Sequence, residues 1–439
     1  MCVKSILDTD LYKFSTSWAY MKLYPEAEGT FEFCDRDNTQ YDQKFLEMIK
    51  EEFENLSKLF LSESEFTKVS NRIKYIPKCY WEWLKGFKFD YRKIKCKLDS
   101  NNHLHIRVTD LLYKVTLYEV PILAIVSEIR NKWLGYNFEP RYVFKKTFSK
   151  IQMANDYQLK FSEFGTRRRF SYEVQEFVCS LLKMYSISYT GTSNVYLGLK
   201  YDMRIIGTHP HEWFMFHGAI FGYKQANYLS LEDWIKVYDG DLGIALTDTY
   251  TSDVFFRNFS LKHAKLFDGI RHDSGDPYKF IDKALTKYIQ YGIDPTTKTI
   301  IFSNGLNFDE YKKIHDYCQG KVRCAAGIGT NLTNDCGFKA SNIVMKLVSC
   351  RLNKESEVEQ CIKLSDDEGK HMGDSKEIDI CKHECHIRTY KDFVKFLGEK
   401  PKKLRHIQPI IDSTLLTEVT NETLETFINS YFKTYDNHK

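Results

Sequence analysis

The chain has 439 residues, of which 43% are hydrophobic, 15% aromatic and 28% charged. This composition is typical of a folded globular protein, and the length suffices for one large α/β domain with a smaller partner domain. The 63 basic and 59 acidic residues leave a formal net charge of +4, which is too small at this length to indicate a nucleic-acid-binding protein. Any anion site must therefore be a local feature.

The cysteines and the N-terminus predict a cytoplasmic protein. Twelve cysteines are spread along the chain without the regular spacing of a disulfide framework, and the first residues lack the apolar core of a signal peptide. The longest apolar run, residues 120–126, contains Pro121 and is far shorter than the roughly 20 residues that span a bilayer. We expect neither a membrane nor a nucleic-acid partner.

Residues 1–140 are assigned to an N-terminal α+β domain. An acidic start precedes a helical pattern that reaches Leu23, and Asp8 or Thr9 is expected to cap this helix. Charged, helix-like sequence follows, and alternating apolar residues predict strands at 29–34, 104–108 and 117–120.

Residues 141–350 alternate short apolar strands with helical stretches, which predicts parallel β-α-β units with right-handed crossovers. Six to eight such units suggest a closed barrel. Strands are predicted at 158–163, 187–190, 204–207, 243–246, 269–272, 299–302, 324–328 and 344–350, and helices at 171–185, 193–201, 211–223, 230–238, 251–266, 277–291 and 307–319.

Residues 351–439 form a charged C-terminal segment with helices predicted near 387–397 and 421–434. The Cys- and His-containing cluster at 381–386 lacks a second ligand pair at the usual zinc spacing, so no residue is assigned as a metal ligand. The basic tract at 400–406 is interpreted as a solvated turn.

Polar residues collect in the loops after the predicted strands, where α/β barrels carry their chemistry. The loop through Gly207 and Pro210 places His211 at a helix N-terminus, where unpaired N–H groups and the helix dipole favour a bound anion. His211 is therefore a candidate for holding phosphate or carrying it covalently. The alternative is that it only caps or packs the helix.

Two further loops indicate a phosphorylated, ribose-bearing substrate. The Gly-rich turn at 327–334 lets bare backbone approach phosphate oxygens, although no Gly-Lys-Ser/Thr follows, so it is not a Walker A loop. In the turn at 271–277, carboxylates can accept hydrogen bonds from ribose hydroxyls or hold magnesium against a diphosphate. Helix capping explains Asp276 but leaves Arg271 and Asp273 unexplained.

The loop at 164–169 sets Phe164 beside three consecutive arginines. An aromatic ring and guanidinium groups together can stack a flat ring and bind a carboxylate or phosphate. A solvated run of charge is the alternative.

Taken together, these motifs resemble the nicotinate phosphoribosyltransferases, from Leu7 to about Gly373. The resemblance implies an α/β fold, with the irregular α/β barrel of the type II phosphoribosyltransferases beside an N-terminal α+β sandwich domain that C-terminal segments complete. It also implies a homodimer with shared active sites. It rests on the order and spacing of the motifs at 164–169, 191–194, 207–213, 245–248, 271–277 and 327–337.

The implied reaction is ATP-coupled synthesis of nicotinate mononucleotide from nicotinate and 5-phosphoribosyl 1-diphosphate, with Mg²⁺ and release of diphosphate, as the first step of NAD salvage. In this resemblance His211 matches a transiently phosphorylated histidine, Asp248 an acid that orients the histidine or the ribose, and Asp273 a contact to the ring or ribose.

The resemblance also implies substrate-binding residues. Phe164 and Tyr12 of the partner subunit would sandwich the pyridine ring. The remaining matches are Arg167, Thr208 and Arg271 near the nicotinate carboxylate, Gly329 and Thr330 in the phosphate turn, and Ser303 with Asn304 at the ribose or magnesium, where Asn304 replaces the usual Asp.

Three alternatives stay open. Nicotinamide phosphoribosyltransferase shares the architecture and the histidine, although the consecutive arginines favour the acid over the amide as substrate. Quinolinate phosphoribosyltransferase is less favoured, because it uses no phosphohistidine. A non-catalytic relative that binds a mononucleotide is opposed by the intact His211 and Asp248.

Overall fold

The computed structural model describes residues 1–387. The strands of this part of the chain are β1 (Glu28–Asp35), β2 (Lys95–Leu98), β3 (Leu104–Leu111), β4 (Phe161–Glu163), β5 (Tyr189–Thr192), β6 (Ile244–Leu246), β7 (Gly269–His272), β8 (Thr299–Phe302), β9 (Arg323–Ile328), β10 (Ile343–Arg351) and β11 (Glu359–Gln360).

The helices of the same part are α1 (Leu11–Leu23), α2 (Gln43–Leu56), α3 (Glu63–Arg72), α4 (Lys78–Gly86), α5 (Leu112–Val115), α6 (Glu119–Trp133), α7 (Pro140–Asp156), α8 (Tyr172–Tyr185), α9 (Val195–Lys200), α10 (His211–Phe221), α11 (Tyr223–Tyr238), α12 (Ser252–Asn258), α13 (Leu261–Leu266), α14 (Pro277–Gln290), α15 (Phe308–Cys318), α16 (Thr330–Thr333) and α17 (Ser375–Glu384).

One sheet is antiparallel, with strand order β11-β10-β1-β3-β2. Alternate residues of β3 are buried, as the sequence pattern predicts for a strand with one face on the core. β10 pairs along the whole length of β1, although it follows β1 by about 300 residues. The strand predicted at 344–350 is thus confirmed as a strand, but its membership of the parallel barrel is wrong. Its alternating burial is that of a half-buried antiparallel strand.

The second sheet is parallel, with strand order β5-β4-β9-β8-β7-β6. The α/β fold with parallel β-α-β units is confirmed. Within the described residues the ladder ends at β5 and β6, so the barrel is irregular. The strand predicted at 204–207 is wrong, because only Ile205 forms a bridge, to Thr192, before the chain turns at Gly207.

Three other predicted elements differ from the structure. The strand predicted at 117–120 is a 3₁₀ turn that leads into α6, because this apolar run is buried on every side and carries no period of two. The helix predicted at 251–266 is two helices, since Ser260 caps the second of them. The helix predicted at 230–238 begins at Tyr223, directly after Gly222 ends α10 with a φ of +87°.

The helices predicted near 387–397 and 421–434, like the basic tract at 400–406, fall outside the described residues, apart from residue 387 itself. The domain boundaries at 140 and 350 stay predictions. Among residues 1–387 no helix combines the length and apolarity that crossing a membrane requires.

Candidate active site

The candidate site lies at the carboxyl edge of the parallel sheet, here called the rim. Because parallel strands end at the same edge, the loops after β4, β6, β7, β8 and β9 meet there. His211 is the first residue of α10, directly after Pro210 in an extended conformation. Its side chain is 9% exposed.

His211 is held by an acid that is itself fully engaged. The Nε2 atom lies 2.8 Å from Oδ1 of Asp248, a carboxylate that follows β6. The other Asp248 oxygen accepts a hydrogen bond from Ser274 Oγ at 2.6 Å and lies 3.3 Å from Nζ of Lys363. Asp248 therefore faces the histidine with one oxygen while a hydroxyl and a cation fix the other.

Burial and the Lys363 cation lower the pKa of His211 to about 4. Burial alone would raise the pKa of Asp248, but Lys363 and His211 hold it well below its usual range. The dyad is accordingly a neutral imidazole beside an ionised carboxylate.

Asp273, which follows β7, connects the histidine to the neighbouring groups. Its Oδ2 lies 3.6 Å from His211 Nε2 and 3.5 Å from Arg271 Nη2, and its Oδ1 accepts a hydrogen bond from Ser303 Oγ at 2.5 Å. Arg271 in turn donates to the hydroxyl of Thr208. Burial opposes the ionisation of Asp273, but the nearby Arg271 guanidinium lowers its pKa to about 2. With Asp248, the structure thus brings together six residues that the sequence predicted for the site.

Phe164 is packed directly on the Gly-rich strand. A Cβ atom at Gly327 would lie 2.2 Å from Cδ2 of the Phe164 ring, so only glycine permits this contact. Arg167, in the same loop, lies 3.6 Å from Glu119 through Nη1, and its side chain is 42% exposed. Its guanidinium is therefore accessible to a ligand.

The predicted phosphate turn, Gly329 and Thr330, lies at the start of the short helix α16, directly after β9. Asn304, which follows β8, accepts a hydrogen bond from Lys370 Nζ at 2.8 Å. The amide oxygen thus has a cationic partner.

The expectation that Asp8 or Thr9 caps α1 is wrong. Asp10 occupies the cap position, and its side chain makes no capping bond. Asp8 instead receives two hydrogen bonds from Arg169, at 2.7 and 2.9 Å, with both side chains fully buried. The alternative of a solvated run of charge therefore does not hold for Arg169, which is buried and paired with the N-terminal segment.

Tyr12 lies at the rim of its own chain. The Nζ atom of the adjacent Lys13 is 5.1 Å from the centre of the Tyr12 ring and is paired with Glu119 and Glu212. Glu119 is also the carboxylate nearest to Arg167. The role that the resemblance implies for the partner subunit's Tyr12 stays a prediction.

Sequence reasoning missed the contribution of residues 361–372, here called the rim segment. Lys363 reaches Asp248, the Leu364 backbone N–H donates to Thr249, and Asp367 accepts from the Gly275 backbone. The segment therefore crosses the loops after β6, β7 and β8. The available signal was a single lysine inside the apolar run 361–364, a position where a charge requires a partner.

Comparison with known proteins decides the family. Residues 159–389 match the nicotinate phosphoribosyltransferase (NAPRTase) family, and residues 7–127 match the NAPRTase N-terminal domain. The chain belongs to the nicotinate phosphoribosyltransferase family.

Known relatives align with this chain over nearly their full length. A nicotinate phosphoribosyltransferase of Chromohalobacter salexigens is 40% identical over 380 residues, which cover 86% of this chain and 97% of the relative. One of Methanosarcina mazei is 37% identical over 391 residues, covering 85% and 95% of the two chains.

Solved structures of nicotinate phosphoribosyltransferases share the fold. The crystal structure of the Porphyromonas gingivalis enzyme is 47% identical with a TM-score of 0.86, over 88% of this chain and all of that one. The Vibrio cholerae enzyme is 31% identical with a TM-score of 0.83, over 91% of this chain and 98% of that one. These matches agree with the type II phosphoribosyltransferase fold.

Proposed function

We propose that this chain makes nicotinate mononucleotide from nicotinate and 5-phosphoribosyl 1-diphosphate, coupled to ATP hydrolysis through a transient phosphohistidine at His211. The observation that carries the proposal is the buried His211 imidazole, oriented by Asp248 and adjoining the Asp273 and Arg271 cluster at one rim. Family membership supports the choice of substrates.

The two rim arginines support an acidic ring as substrate. Arg167 is paired only loosely, and the Nε atom of Arg271 has no hydrogen-bond partner within residues 1–387. A nicotinate carboxylate would supply an acceptor to these donors, whereas the nicotinamide amide would bring no charge. Phe164 would stack on the ring and hold it at low entropic cost.

The transfer reaction needs positioning more than acid or base catalysis. The pyridine nitrogen is the nucleophile at the anomeric carbon, and diphosphate leaves from a cation-like transition state. Asp273 would stabilise the developing positive charge of the ribose, and the Gly329–Thr330 backbone would receive the 5-phosphate.

His211 has a separate task. Because Nε2 donates its hydrogen to the ionised Asp248, the free lone pair of the neutral ring lies on Nδ1. Nδ1 can attack the γ-phosphorus of ATP while the bond to the β-γ bridging oxygen breaks and ADP leaves, and water later hydrolyses the phosphohistidine. Because Asp248 is ionised, it would hold the imidazole in position and stabilise its positive charge during the attack.

The implied Mg²⁺ fits the acids of this site. Ligand atoms of His211, Asp248 and Asp273 lie within 4.8 Å of one another, and carboxylate oxygens together with substrate phosphates suit this ion. The Asp248 side chain is only 1% exposed, whereas that of Asp273 is 21% exposed. Asp273 would therefore hold the ion, which neutralises charge on the leaving diphosphate when bound.

Product analysis tests the substrate assignment. Purified chain is incubated with 5-phosphoribosyl 1-diphosphate, Mg²⁺, ATP and equal concentrations of nicotinate and nicotinamide, and the mononucleotides are separated by chromatography. We expect nicotinate mononucleotide to dominate, and Arg271→Ala to lose that preference. Preferential formation of nicotinamide mononucleotide would support the alternative activity, and ligand binding without diphosphate release would support a non-catalytic relative.

A further inference from the structure

We infer that His209 is a positioning residue that fixes two parts of the site at once, the start of α10, which carries His211, and the guanidinium of Arg271. The inference rests on the proposed function, because it concerns how the phosphohistidine and the carboxylate-binding arginine of that function are held. His209 is 0% exposed, so it acts through these neighbours and not by touching a substrate.

The His209 ring lies in an aromatic enclosure to which three other parts of the chain contribute. The ring centre is 4.4 Å from that of Trp234 in α11, 5.7 Å from that of Phe267 directly after α13, and 5.9 Å from that of Phe214 in α10. Close packing of this kind fixes the position of a side chain by shape.

The contact with Phe214 occupies the two positions of a hydrophobic staple. In this motif the residue before the helix cap packs on the fourth residue of the helix and fixes the direction in which the chain enters. Pro210 is the cap residue and makes no side-chain capping bond, and His211 is the first helical residue, so His209 and Phe214 are the staple pair. The staple therefore orients the first turn of α10, and with it His211.

The backbone of the same residue holds Arg271. The Nη1 atom of Arg271 donates to the His209 carbonyl at 3.3 Å and to the hydroxyl of Thr208. On its other side, Nη2 lies 3.5 Å from Asp273. The orientation of the guanidinium thus depends on where the enclosure holds residue 209, which couples the position of Arg271 to that of His211.

The ring of His209 acts through its shape and not through its nitrogens. In the part of the chain that the structure describes, neither Nδ1 nor Nε2 has a hydrogen-bond partner. Burial and the nearby Arg271 cation lower the pKa of His209 to about 3, so the ring is neutral at physiological pH. A phenyl ring could therefore replace it, whereas truncation of the ring would leave a cavity beside Trp234.

Steady-state kinetics of His209→Ala test this assignment through two quantities that do not depend on the fraction of folded enzyme. The first is KM for nicotinate, which reports on Arg271, and the second is the ratio of the transfer rates with and without ATP, which reports on His211. We expect KM to rise roughly tenfold and the ATP ratio to fall towards one, because both groups lose their fixed positions.

His209→Phe is the rescue variant and His263→Ala is the matched control. His209→Phe keeps an aromatic ring in the enclosure and should give wild-type values of both quantities. His263 is also fully buried, is paired with Glu232 at 2.8 Å, and lies 6.3 Å from Phe267 between ring centres. His263→Ala should therefore lower stability, measured by thermal unfolding followed by circular dichroism, while leaving both quantities unchanged.

Wild-type values of both quantities in a folded His209→Ala chain would overturn the inference and leave the proposed function intact. Equal losses in His209→Phe and His209→Ala would also overturn it, because the ring nitrogens and not the ring shape would then matter. Should His209→Ala not fold, the milder truncation His209→Val takes its place, with changes in the same direction of at least about threefold. A wild-type chain that forms no nicotinate mononucleotide would overturn the proposed function, and the inference with it.

Discussion

At the scale of single residues, the electrostatics of His211 set its chemistry. Burial and Lys363 both lower its pKa, to about 4, and outweigh the opposing effect of Asp248. This pKa lies well below the ordinary histidine value of about 6.5. The imidazole therefore stays neutral and nucleophilic throughout the physiological pH range.

Replacing Lys363 should show how strongly this cation lowers the pKa of His211. In Lys363→Met the cation is gone and Asp248 remains, so the pKa of His211 should rise towards its ordinary value. The protonated, unreactive form then appears at higher pH, and ATP hydrolysis normalised to its plateau should fall between about pH 5 and 6, where the wild type keeps its rate. The measurement is a pH profile of ATP hydrolysis from about pH 4.5 to 7.5.

Lys370→Met is the matched control, because Lys370 lies in the same rim segment but contacts Asn304 and Asp367. Its profile should keep the wild-type shape. Superimposable profiles for Lys363→Met and wild type would contradict the assigned role of Lys363.

The Asp8–Arg169 pair makes a stability prediction. Arg169→Met leaves the Asp8 carboxylate buried without its cation, which should lower the free energy of unfolding by about 3–5 kcal/mol. The double variant Asp8→Asn/Arg169→Met removes the unpaired charge and should recover part of the loss. Urea denaturation followed by fluorescence measures both.

Arg168→Met is the comparison for this prediction. Arg168 has no acidic partner within 4.0 Å in the described chain, so its replacement should change stability by less than about 1 kcal/mol. A double variant no more stable than Arg169→Met would show that the unpaired Asp8 charge is not the source of the loss.

At the scale of secondary-structure elements, close packing between β9 and the loop after β4 positions the ring-stacking residue. Gly327→Ala would place a methyl group on the Phe164 ring, so the ring must move. We expect KM for nicotinate to rise roughly tenfold with a smaller change in kcat, because ring orientation is lost while the transfer groups remain.

Gly86→Ala serves as the control for this substitution, since a Cβ there meets no atom within 4 Å. Both variants should show wild-type circular dichroism, and steady-state kinetics should separate them. An unchanged KM for nicotinate in Gly327→Ala would show that the position of Phe164 does not matter to ring binding.

Local pattern sufficed to predict the parallel units, since β6 to β9 each combine a short apolar run with a polar loop and a following helix. It did not suffice where long-range packing decides the outcome. Residues 117–120 span the end of a 3₁₀ turn and the start of α6, and all four are buried. The sequence pattern of β10 predicts a strand but does not reveal its partner strand. Pairing with β1 depends on contacts about 300 residues apart, which periodicity cannot encode.

The same limit explains the site. His211, Asp273, Arg271 and Phe164 lie in loops whose order along the sheet follows from the alternation of strands and helices. Lys363 belongs to a segment without regular structure, and its contact with Asp248 follows only from the path of the chain after β11. The roles of Asp8 and Lys13 likewise depend on partners more than 100 residues away.

At the scale of the whole molecule, segments from both ends of the described chain complete the rim. Residues 8–13 lie against the loop after β5 and the loop that leads to His211, and the rim segment follows β10 and β11 of the antiparallel sheet to Asp248. The antiparallel sheet thus contributes residues to chemistry that the parallel sheet positions, and disruption of the β1–β10 pairing should impair the site as well as stability.

The measurement that tests the central claim most directly is diphosphate release from nicotinate and 5-phosphoribosyl 1-diphosphate, with and without ATP, for the wild type and His211→Ala. We predict that ATP accelerates the wild type, and that His211→Ala loses both ATP hydrolysis and the acceleration. Slow basal transfer should remain, because Asp273, Arg271 and Phe164 still position the substrates. Unchanged ATP acceleration in His211→Ala would contradict the phosphohistidine account.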